Sequence, residues 1–281
     1  MTTLLEIKNL QKSYKNFHLG PINFSIPQGS IVGLVGENGS GKTTTIRSIL
    51  GITAKNEGEI IYREDSSLST KDMKENLGIV LDDSFFYQKF TADKIEKVLA
   101  ASYPDWDTKI FDRFLKRFSL NRKMPMEKMS KGMQRKLVLA TALSHHAELL
   151  ILDEPTSGLD PVIRDEILDI FMDYIQNESH SIFLSTHITS DLDKIADYII
   201  FLHKGKILLQ ENKDTLLDCY GILKCGEEHF QRIKKEHIKG FRKHRFGYEV
   251  LVGNRHAYPD FIFEPPNIDS ILVFMIRGEQ K

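Results

Sequence analysis

Residues 36–43 read G-E-N-G-S-G-K-T, a spacing of glycine, lysine and hydroxyl that can bind a phosphate chain. Glycines let the backbone turn so that consecutive N–H groups point inward at the β- and γ-phosphates of a nucleotide. The Lys42 ammonium can lie between those phosphates, and the Thr43 hydroxyl can ligate Mg²⁺. The candidate nucleotide-binding residues are Gly36, Glu37, Asn38, Gly39, Ser40, Gly41, Lys42, Thr43 and Thr44.

A second candidate centre follows an apolar run at residues 149–152, which ends in the carboxylates of Asp153 and Glu154. The run predicts a buried parallel strand whose acids lie at its carboxyl end, where ligands bind in open α/β sheets. A metal-ligating aspartate followed by a carboxylate that polarises water is the chemistry a phosphate-cleaving site needs. The alternative is that both acids only cap the helix near Val162.

His187 follows residues 181–186, whose apolar centre at 182–184 predicts a second buried strand with a polar end. Its place at the end of a strand in the same sheet favours a catalytic role over that of a satisfied polar residue. Tyr14 lies between two predicted strands, where its ring either packs in a hairpin core or stacks on adenine. Ser130 and Gly132 stand at the start of a predicted helix, where an anion would bind well.

The elements around these residues follow from hydrophobic periodicity. Residues 31–35 predict a strand before the glycine loop, and Ile46, Ile49 and Leu50 are spaced as one face of a helix after it. Strand, loop and helix are the context that the phosphate-binding pattern requires, whereas the alternative, a glycine-rich surface turn, needs neither element. Helical patterns resume from Thr91, and short strand patterns follow residue 220, except that residues 270–276 fit a strand or a helix.

The amino-acid composition limits the classes of function that are expected for this chain. The chain has 281 residues, with 41% hydrophobic and 27% charged, which is typical of a soluble globular protein of two or three domains. A formal net charge of -1 provides no electrostatic reason to bind nucleic acid, so no nucleic-acid partner is expected. Two cysteines favour a reducing cytosol, and no signal peptide is expected. No apolar stretch reaches 18 residues, so we expect the chain to reach a membrane only through another chain.

In this order and at these separations, the motifs resemble the nucleotide-binding subunit of an ATP-binding-cassette (ABC) transporter over roughly residues 4–210. The resemblance implies an α/β fold: a RecA-like P-loop NTPase core with an antiparallel β subdomain and a helical insert. It implies that the chain binds ATP and Mg²⁺ and hydrolyses ATP to ADP and phosphate. The expected domains are an ATPase domain at 1–215, with a helical subdomain at about 77–146, and a small C-terminal α/β accessory domain at 216–281.

The resemblance also implies roles for single residues. Tyr14 corresponds to the adenine-stacking aromatic, the glycine loop to the Walker A motif, and Asp153 to the metal-coordinating acid of Walker B. Glu154 matches the glutamate that activates the attacking water, and His187 matches the switch histidine that contacts the γ-phosphate. Together with Lys42, these two are the expected catalytic residues. Asp160 ends a stretch, residues 157–160, that resembles the loop communicating across the dimer.

Residues 129–133 occupy the place of the family's signature sequence, Leu-Ser-Gly-Gly-Gln, and depart from it at three positions. Ser130 and Gly132 remain, Lys131 replaces a glycine, and Met133 replaces the glutamine. The resemblance implies that these residues reach the γ-phosphate held by a partner subunit, so that one ATP is enclosed between two chains. Lys131 would add a positive charge near that phosphate, whereas Met133 would remove a polar contact.

Asp82 stands where the family usually has a glutamine that senses Mg²⁺ and links the helical insert to the membrane subunits. An aspartate can also ligate Mg²⁺ through oxygen. Together with the Ser-Lys-Gly-Met signature and the sequence Ser-His-His-Ala-Glu at residues 144–148, Asp82 makes the chain look most like bacterial ABC-2-type exporter ATPases, a group that includes phenol-soluble-modulin and related peptide exporters.

The resemblance therefore implies the ATPase subunit of an exporter, working as a homodimer or as a heterodimer with a second ABC ATPase. It would be held by transmembrane permease subunits at the cytoplasmic face of the cell membrane and power export of a peptide, amphiphile or antimicrobial. Two alternatives stay open: a non-transport ABC ATPase of DNA repair or translation, and a nucleotide-binding scaffold with little turnover. A GTP switch is disfavoured, because residues 212–215 resemble a guanine-reading motif but have Thr215 where aspartate is needed, and the order of the motifs is wrong.

Overall fold

The computed structural model describes residues 2–63, 70–81 and 86–279. Its strands are, in chain order, β1 (Thr3–Tyr14), β2 (Phe17–Pro27), β3 (Ile31–Val35), β4 (Glu57–Tyr62), β5 (Leu77–Val80), β6 (Leu149–Asp153), β7 (Ser181–Thr186), β8 (Tyr198–His203), β9 (Lys206–Asn212), β10 (Gly221–Cys225), β11 (Ile238–His244) and β12 (Gly247–Val252). Its α-helices are α1 (Lys42–Ile49), α2 (Thr70–Glu75), α3 (Ala92–Ser102), α4 (Thr108–Arg117), α5 (Lys131–Ala142), α6 (Pro161–Tyr174), α7 (Thr189–Ile195), α8 (Lys213–Cys219), α9 (Glu227–Arg232) and α10 (Ile268–Arg277).

The core is a six-stranded sheet in the order β5-β6-β7-β3-β8-β9, parallel except for β9. Every residue of β3, β6 and β7 is buried, because both faces of the sheet are covered. Alternate residues serve opposite faces: Val32 and Leu34 pack with α1 and the β1–β2 hairpin, whereas Ile31 and Val35 pack on the other side. This arrangement confirms the expected α/β P-loop core.

The expected antiparallel β subdomain is present as a sheet in the order β2-β1-β4. Its apolar side chains, among them Leu5 and Ile7, are buried against α1 and one face of the core sheet. The β8–β9 turn fastens the subdomain, since Gly20 N–H donates to the Gly205 carbonyl at 2.7 Å. A Cβ at Gly205 would lie 2.0 Å from the His18 carbonyl, so this close approach requires glycine.

Helices α3, α4 and α5 follow β5 in the chain and form the helical insert. Phe111 and Leu115 of α4 are buried among apolar side chains of α5, whereas the opposite face of α4 is exposed. Strand β5 itself pairs in parallel with β6, beginning at Leu77 opposite Leu149. The first residues of the stretch 77–146 therefore lie in the core sheet, and the helices of the insert begin at Ala92.

The C-terminal residues form a second antiparallel sheet in the order β10-β12-β11. On one face, Leu223 and Val250 pack with Phe230 of α9 in a small apolar cluster of their own. On the other face, Ile222 and Leu251 pack with α10, and this cluster continues through α7 into the apolar core beside the six-stranded sheet. We call residues 216–279 the C-terminal unit; it shares its second apolar layer with the core.

Candidate active site

The glycine loop connects the end of β3 to the start of α1, as its sequence predicts. Gly39 and Gly41 have φ angles of 80° and 114°, the left-handed region that favours glycine. Lys42 folds back over the loop: its Nζ donates to the Gly36 carbonyl at 2.8 Å and to the Glu37 carbonyl at 3.4 Å. The loop therefore curls around the lysine ammonium, next to the N-terminus of α1, where an anion is favoured.

Gly36 is needed for space as well as for its place in the motif. A Cβ at this position would lie 2.1 Å from the Leu202 carbonyl and 2.7 Å from Ser40 Oγ. We expect Gly36→Ala to displace the loop from β8, to lower the free energy of unfolding by about 1–3 kcal/mol and to weaken nucleotide binding. Thermal unfolding and nucleotide titration measure both effects.

Gly226 provides the matched control, because a Cβ there would meet nothing within 4 Å and the residue lies in the C-terminal unit. Gly226 is the N-cap of the short helix α9, where alanine is less favourable than glycine, so Gly226→Ala should lower the free energy of unfolding by no more than about 1 kcal/mol and leave nucleotide binding unchanged. Equal behaviour of the two variants would contradict the steric role of Gly36.

Glu154 and His187 meet because they follow neighbouring parallel strands, with Asp153 of β6 opposite Ser185 of β7. His187 Nδ1 lies 2.8 Å from Glu154 Oε2, and the His187 backbone N–H donates to the same oxygen at 3.4 Å. Because a carboxylate oxygen accepts, Nδ1 carries the proton in this contact. Glu154 Oε1 in turn lies 3.5 Å from Lys42 Nζ. The structure thus joins the three sequence-predicted catalytic residues in one continuous chain of contacts.

The charged groups in this chain of contacts are largely shielded from water. The side chains of Lys42 and Glu154 are only 6% and 13% exposed, so their opposite charges interact with little screening. Glu154 also has a φ of 51°, which is uncommon for a residue with a side chain. Such backbone conformations cluster at functional sites, where the surrounding structure holds them in place.

A cleft of about 590 Å³ lies over these residues, within the size range of small-molecule sites. The described residues that line it are Tyr14, Phe17, Asn38, Gly39, Gly41, Lys42, Thr43, Thr44, Glu154, Ser157 and His187. The Tyr14 ring is 49% exposed at the rim of the cleft, 6.5 Å from the Phe17 ring centroid. Lys12 Nζ lies over one face of this ring, 5.3 Å from its centroid, and the opposite face can stack on a planar base.

Asp153 is buried at the end of β6, and Ser185 Oγ donates a hydrogen bond to its Oδ1. Thr43 is exposed in the first turn of α1 and lines the cleft. Carboxylate and hydroxyl oxygens are donors that suit Mg²⁺, which usually takes one or two protein ligands and completes its shell with phosphate and water. Asp82, the third candidate metal ligand, lies outside the described residues.

Other sequence-predicted residues lie apart from this cleft. Ser130 caps α5, accepting from Met133 N–H at 3.2 Å, and Lys131, Gly132 and Met133 form the first turn of that helix. None of these four residues lines the nucleotide cleft. Asp160 caps α6, accepting from the backbone N–H groups of residues 162 and 163 at 3.1 Å each. The signature and the phosphate loop of one chain are therefore separate surfaces.

Sequence reasoning missed an ion pair behind the site, in which the carboxylate is buried and the guanidinium is partly exposed. Asp191 of α7 is fully buried and accepts hydrogen bonds at 2.5 Å from both Thr156 Oγ1 and Arg164 Nε. Thr156 lies two residues after Glu154, and α7 begins two residues after His187, so Asp191 ties together the segments that carry both side chains. No motif marks Asp191, because its partners are 35 and 27 residues away in the chain.

Asp191→Ala should lower the free energy of unfolding by about 3–5 kcal/mol, since it leaves a partly buried guanidinium without its carboxylate. Chemical denaturation measures the loss. Asp173→Ala is the control, because Asp173 is 73% exposed and pairs with Arg117 only at 3.5 Å. This second variant should cost less than about 1 kcal/mol. Equal losses in the free energy of unfolding would show that the contacts of Asp191 do not stabilise the segments behind the site.

Comparison with known proteins identifies the family. A family model described as "ABC transporter" matches residues 19–157. The lantibiotic transport ATP-binding protein SrtF of Streptococcus pyogenes is 34% identical over 214 residues, which cover 75% of this chain and 92% of SrtF. The chain belongs to the ABC transporter ATP-binding family. The bacitracin transport ATP-binding protein BcrA of Bacillus licheniformis is also 34% identical, over 74% of this chain and 69% of BcrA.

Solved structures agree with the fold of this ABC ATPase. An ATP-binding subunit of an ABC transporter is 27% identical with a TM-score of 0.69, covering 77% of this chain and 92% of that chain. The dimeric cassette MJ0796 bound to ADP and phosphate has the same fold, with a TM-score of 0.67 at 23% identity over 74% of this chain and 98% of that one. As an ABC ATPase, the chain binds ATP and hydrolyses it to ADP and phosphate. Among the described residues, no helix is both long and apolar enough to span a bilayer.

Proposed function

We propose that this ABC ATPase powers a bacterial exporter by dimerising around ATP and driving permease subunits that export a peptide, amphiphile or antimicrobial. The observation that carries the catalytic part is the chain of contacts from Lys42 through Glu154 to His187 at the floor of the cleft. Export is supported by the relatives named for lantibiotic and bacitracin transport, to which this chain is 34% identical.

In the proposed site, Tyr14 stacks on adenine, the loop from Gly36 to Thr44 surrounds the phosphates, and Lys42 lies between the β- and γ-phosphates. Thr43 and Asp153 would hold Mg²⁺, which when bound neutralises charge on the phosphate oxygens. Asp82 is a further proposed ligand of this ion and the proposed link to the membrane subunits.

The contacts of Glu154 suggest how binding prepares hydrolysis. Its two oxygens face Lys42 and His187. When a triphosphate takes the Lys42 ammonium, the Glu154 carboxylate no longer pairs with that cation and can accept a proton from the water that attacks the γ-phosphate. His187 keeps the carboxylate oriented and contacts the γ-phosphate from the adjacent strand end.

The second half of the proposed site comes from a partner subunit, either another copy or a second ABC ATPase. Ser130 and Gly132 present the N-terminus of α5, and Lys131 adds a positive charge where a partner's γ-phosphate would lie. Asp160 holds the start of α6 beside this surface. Binding of ATP then joins two chains, and hydrolysis releases them.

We place the chain at the cytoplasmic face of the cell membrane, held there by transmembrane permease subunits. We also propose that residues 1–215 act as the ATPase domain, with the helical subdomain at about 77–146, and that residues 216–281 act as an accessory domain.

Purification of the tagged chain from detergent-solubilised membranes tests this proposal. We expect an integral membrane protein to co-purify and phosphate release to rise when it is present, while Lys42→Ala abolishes the release in both preparations. Phosphate release by the wild type no higher than that of the Lys42→Ala variant would favour a nucleotide-binding scaffold. Co-purification with ribosomes or repair proteins instead of a membrane protein would contradict a role in export.

A further inference from the structure

The C-terminal unit reaches the nucleotide site through helix α10. The first turn of α10 is attached to α7, because the Ile268 backbone N–H donates to Asp193 Oδ1 at 3.3 Å. Thr189 Oγ1 donates to Asp269 Oδ1 at 3.5 Å in the same region. Since α7 begins two residues after His187, the first turn of α10 is joined to the helix that directly follows the switch histidine.

The last turn of α10 reaches the phosphate loop itself. Arg277 Nη2 lies 3.5 Å from Oε1 of Glu37, the residue directly after Gly36. The Glu37 carbonyl also accepts from Lys42 Nζ at 3.4 Å and from Ser40 N–H at 3.1 Å, so its backbone is part of the curled loop. A residue 240 positions away in the chain therefore contacts the loop that surrounds the catalytic lysine.

Glu37 is an acidic residue within a loop that is proposed to bind an anion. Its carboxylate would repel a triphosphate unless cations hold and neutralise it. Among the described residues, two basic side chains face it: Arg277 of the C-terminal unit, and the imidazole of His203 at the end of β8, whose Nδ1 lies 3.7 Å from Glu37 Oε2. Arginine keeps its charge at every physiological pH, so Arg277 is the constant partner of the two.

We propose that Arg277 is a positioning residue of the nucleotide site, through which the C-terminal unit sets the affinity of the phosphate loop for a nucleoside triphosphate. Arg277 acts on Glu37: it draws the carboxylate toward α10 and cancels its charge, and the loop then accepts the phosphates. The inference rests on the proposed role of the loop in binding ATP. Because Arg277 and Glu37 are 73% and 45% exposed, the effect is modest and is screened by salt.

A double-mutant cycle isolates this contact. Dissociation constants of a fluorescent ATP analogue are measured at low and high salt for the wild type, Arg277→Gln, Glu37→Gln and the double variant. At low salt, Arg277→Gln should weaken binding about threefold, with a smaller effect at high salt. In the Glu37→Gln background, the same change should have no effect, since no carboxylate remains to be neutralised. KM for ATP should rise with kcat unchanged, and Arg277→Lys should keep most of the affinity.

Arg255→Gln is the matched control, because it removes the same charge from the same unit, where Arg255 pairs with Asp218 at 3.2 Å. This variant should bind the analogue as the wild type does. An Arg277→Gln effect that is equal in both Glu37 backgrounds, or equal to that of Arg255→Gln, would overturn the proposal. A wild type that binds no analogue, or a Lys42→Ala variant that binds it normally, would instead overturn the proposed function of the loop.

Discussion

Glu154→Gln should lower ATP turnover about 100-fold or more while nucleotide binding is kept. Glutamine preserves the shape of the side chain but cannot accept a proton from water, and it has no charge to pair with Lys42 at 3.5 Å. Steady-state phosphate release and a separate nucleotide titration distinguish the two steps. Tighter rather than weaker ATP binding is expected, because the competing carboxylate is gone from the Lys42 ammonium.

Glu178→Gln is the control for this prediction, since Glu178 is exposed in the segment between α6 and β7. Its turnover should equal that of the wild type. If Glu154→Gln hydrolysed ATP at the wild-type rate, Glu154 would lose its role as the base, and the strained backbone at this residue would need another explanation.

Lys42→Ala should weaken ATP binding about 100-fold, because two charge-assisted hydrogen bonds to phosphate oxygens are lost. The substitution should also remove contacts within the protein itself. Lys42 Nζ also holds the carbonyls of Gly36 and Glu37, so the empty loop itself should become less ordered. Glu154, only 13% exposed, would be left without its cation. Isothermal titration measures the affinity, and hydrogen exchange measures the protection of the loop.

Lys55→Ala, a change at an exposed lysine outside the cleft, is the matched control and should bind ATP normally. Affinity within about twofold of the wild type in Lys42→Ala would show that the loop binds triphosphate through its backbone alone.

Much of the site is predictable because its residues act through local rules. The glycine loop lies between a strand and a helix in the sequence, and caps such as Ser130 and Asp160 bond within their own helices. Glu154 and His187 are predictable as neighbours for a different reason: both follow apolar runs, and the carboxyl ends of adjacent parallel strands meet at one edge of a sheet.

Contacts between distant residues that neither a motif nor the ends of adjacent strands bring together could not be predicted. Nothing in the local pattern of Asp191 distinguishes it from an exposed helical aspartate, and nothing near Arg277 points to Glu37. The apolar run in α10 fits a strand or a helix by periodicity, because it is apolar on most sides. The reciprocal cap between Asn267 and Ser270, together with packing against α7 on one side and β11 on the other, selects the helix.

The central claim is that two ABC subunits dimerise around ATP. The mass of the Glu154→Gln chain in solution tests this claim most directly. Light scattering should give a mass near 32.3 kDa without nucleotide and close to twice that value with ATP and magnesium, and ADP should not reproduce the change. If a second ABC ATPase co-purifies, the same ATP-dependent step should appear when the two are mixed. A chain that stays monomeric with ATP, alone and with such a partner, would contradict the account.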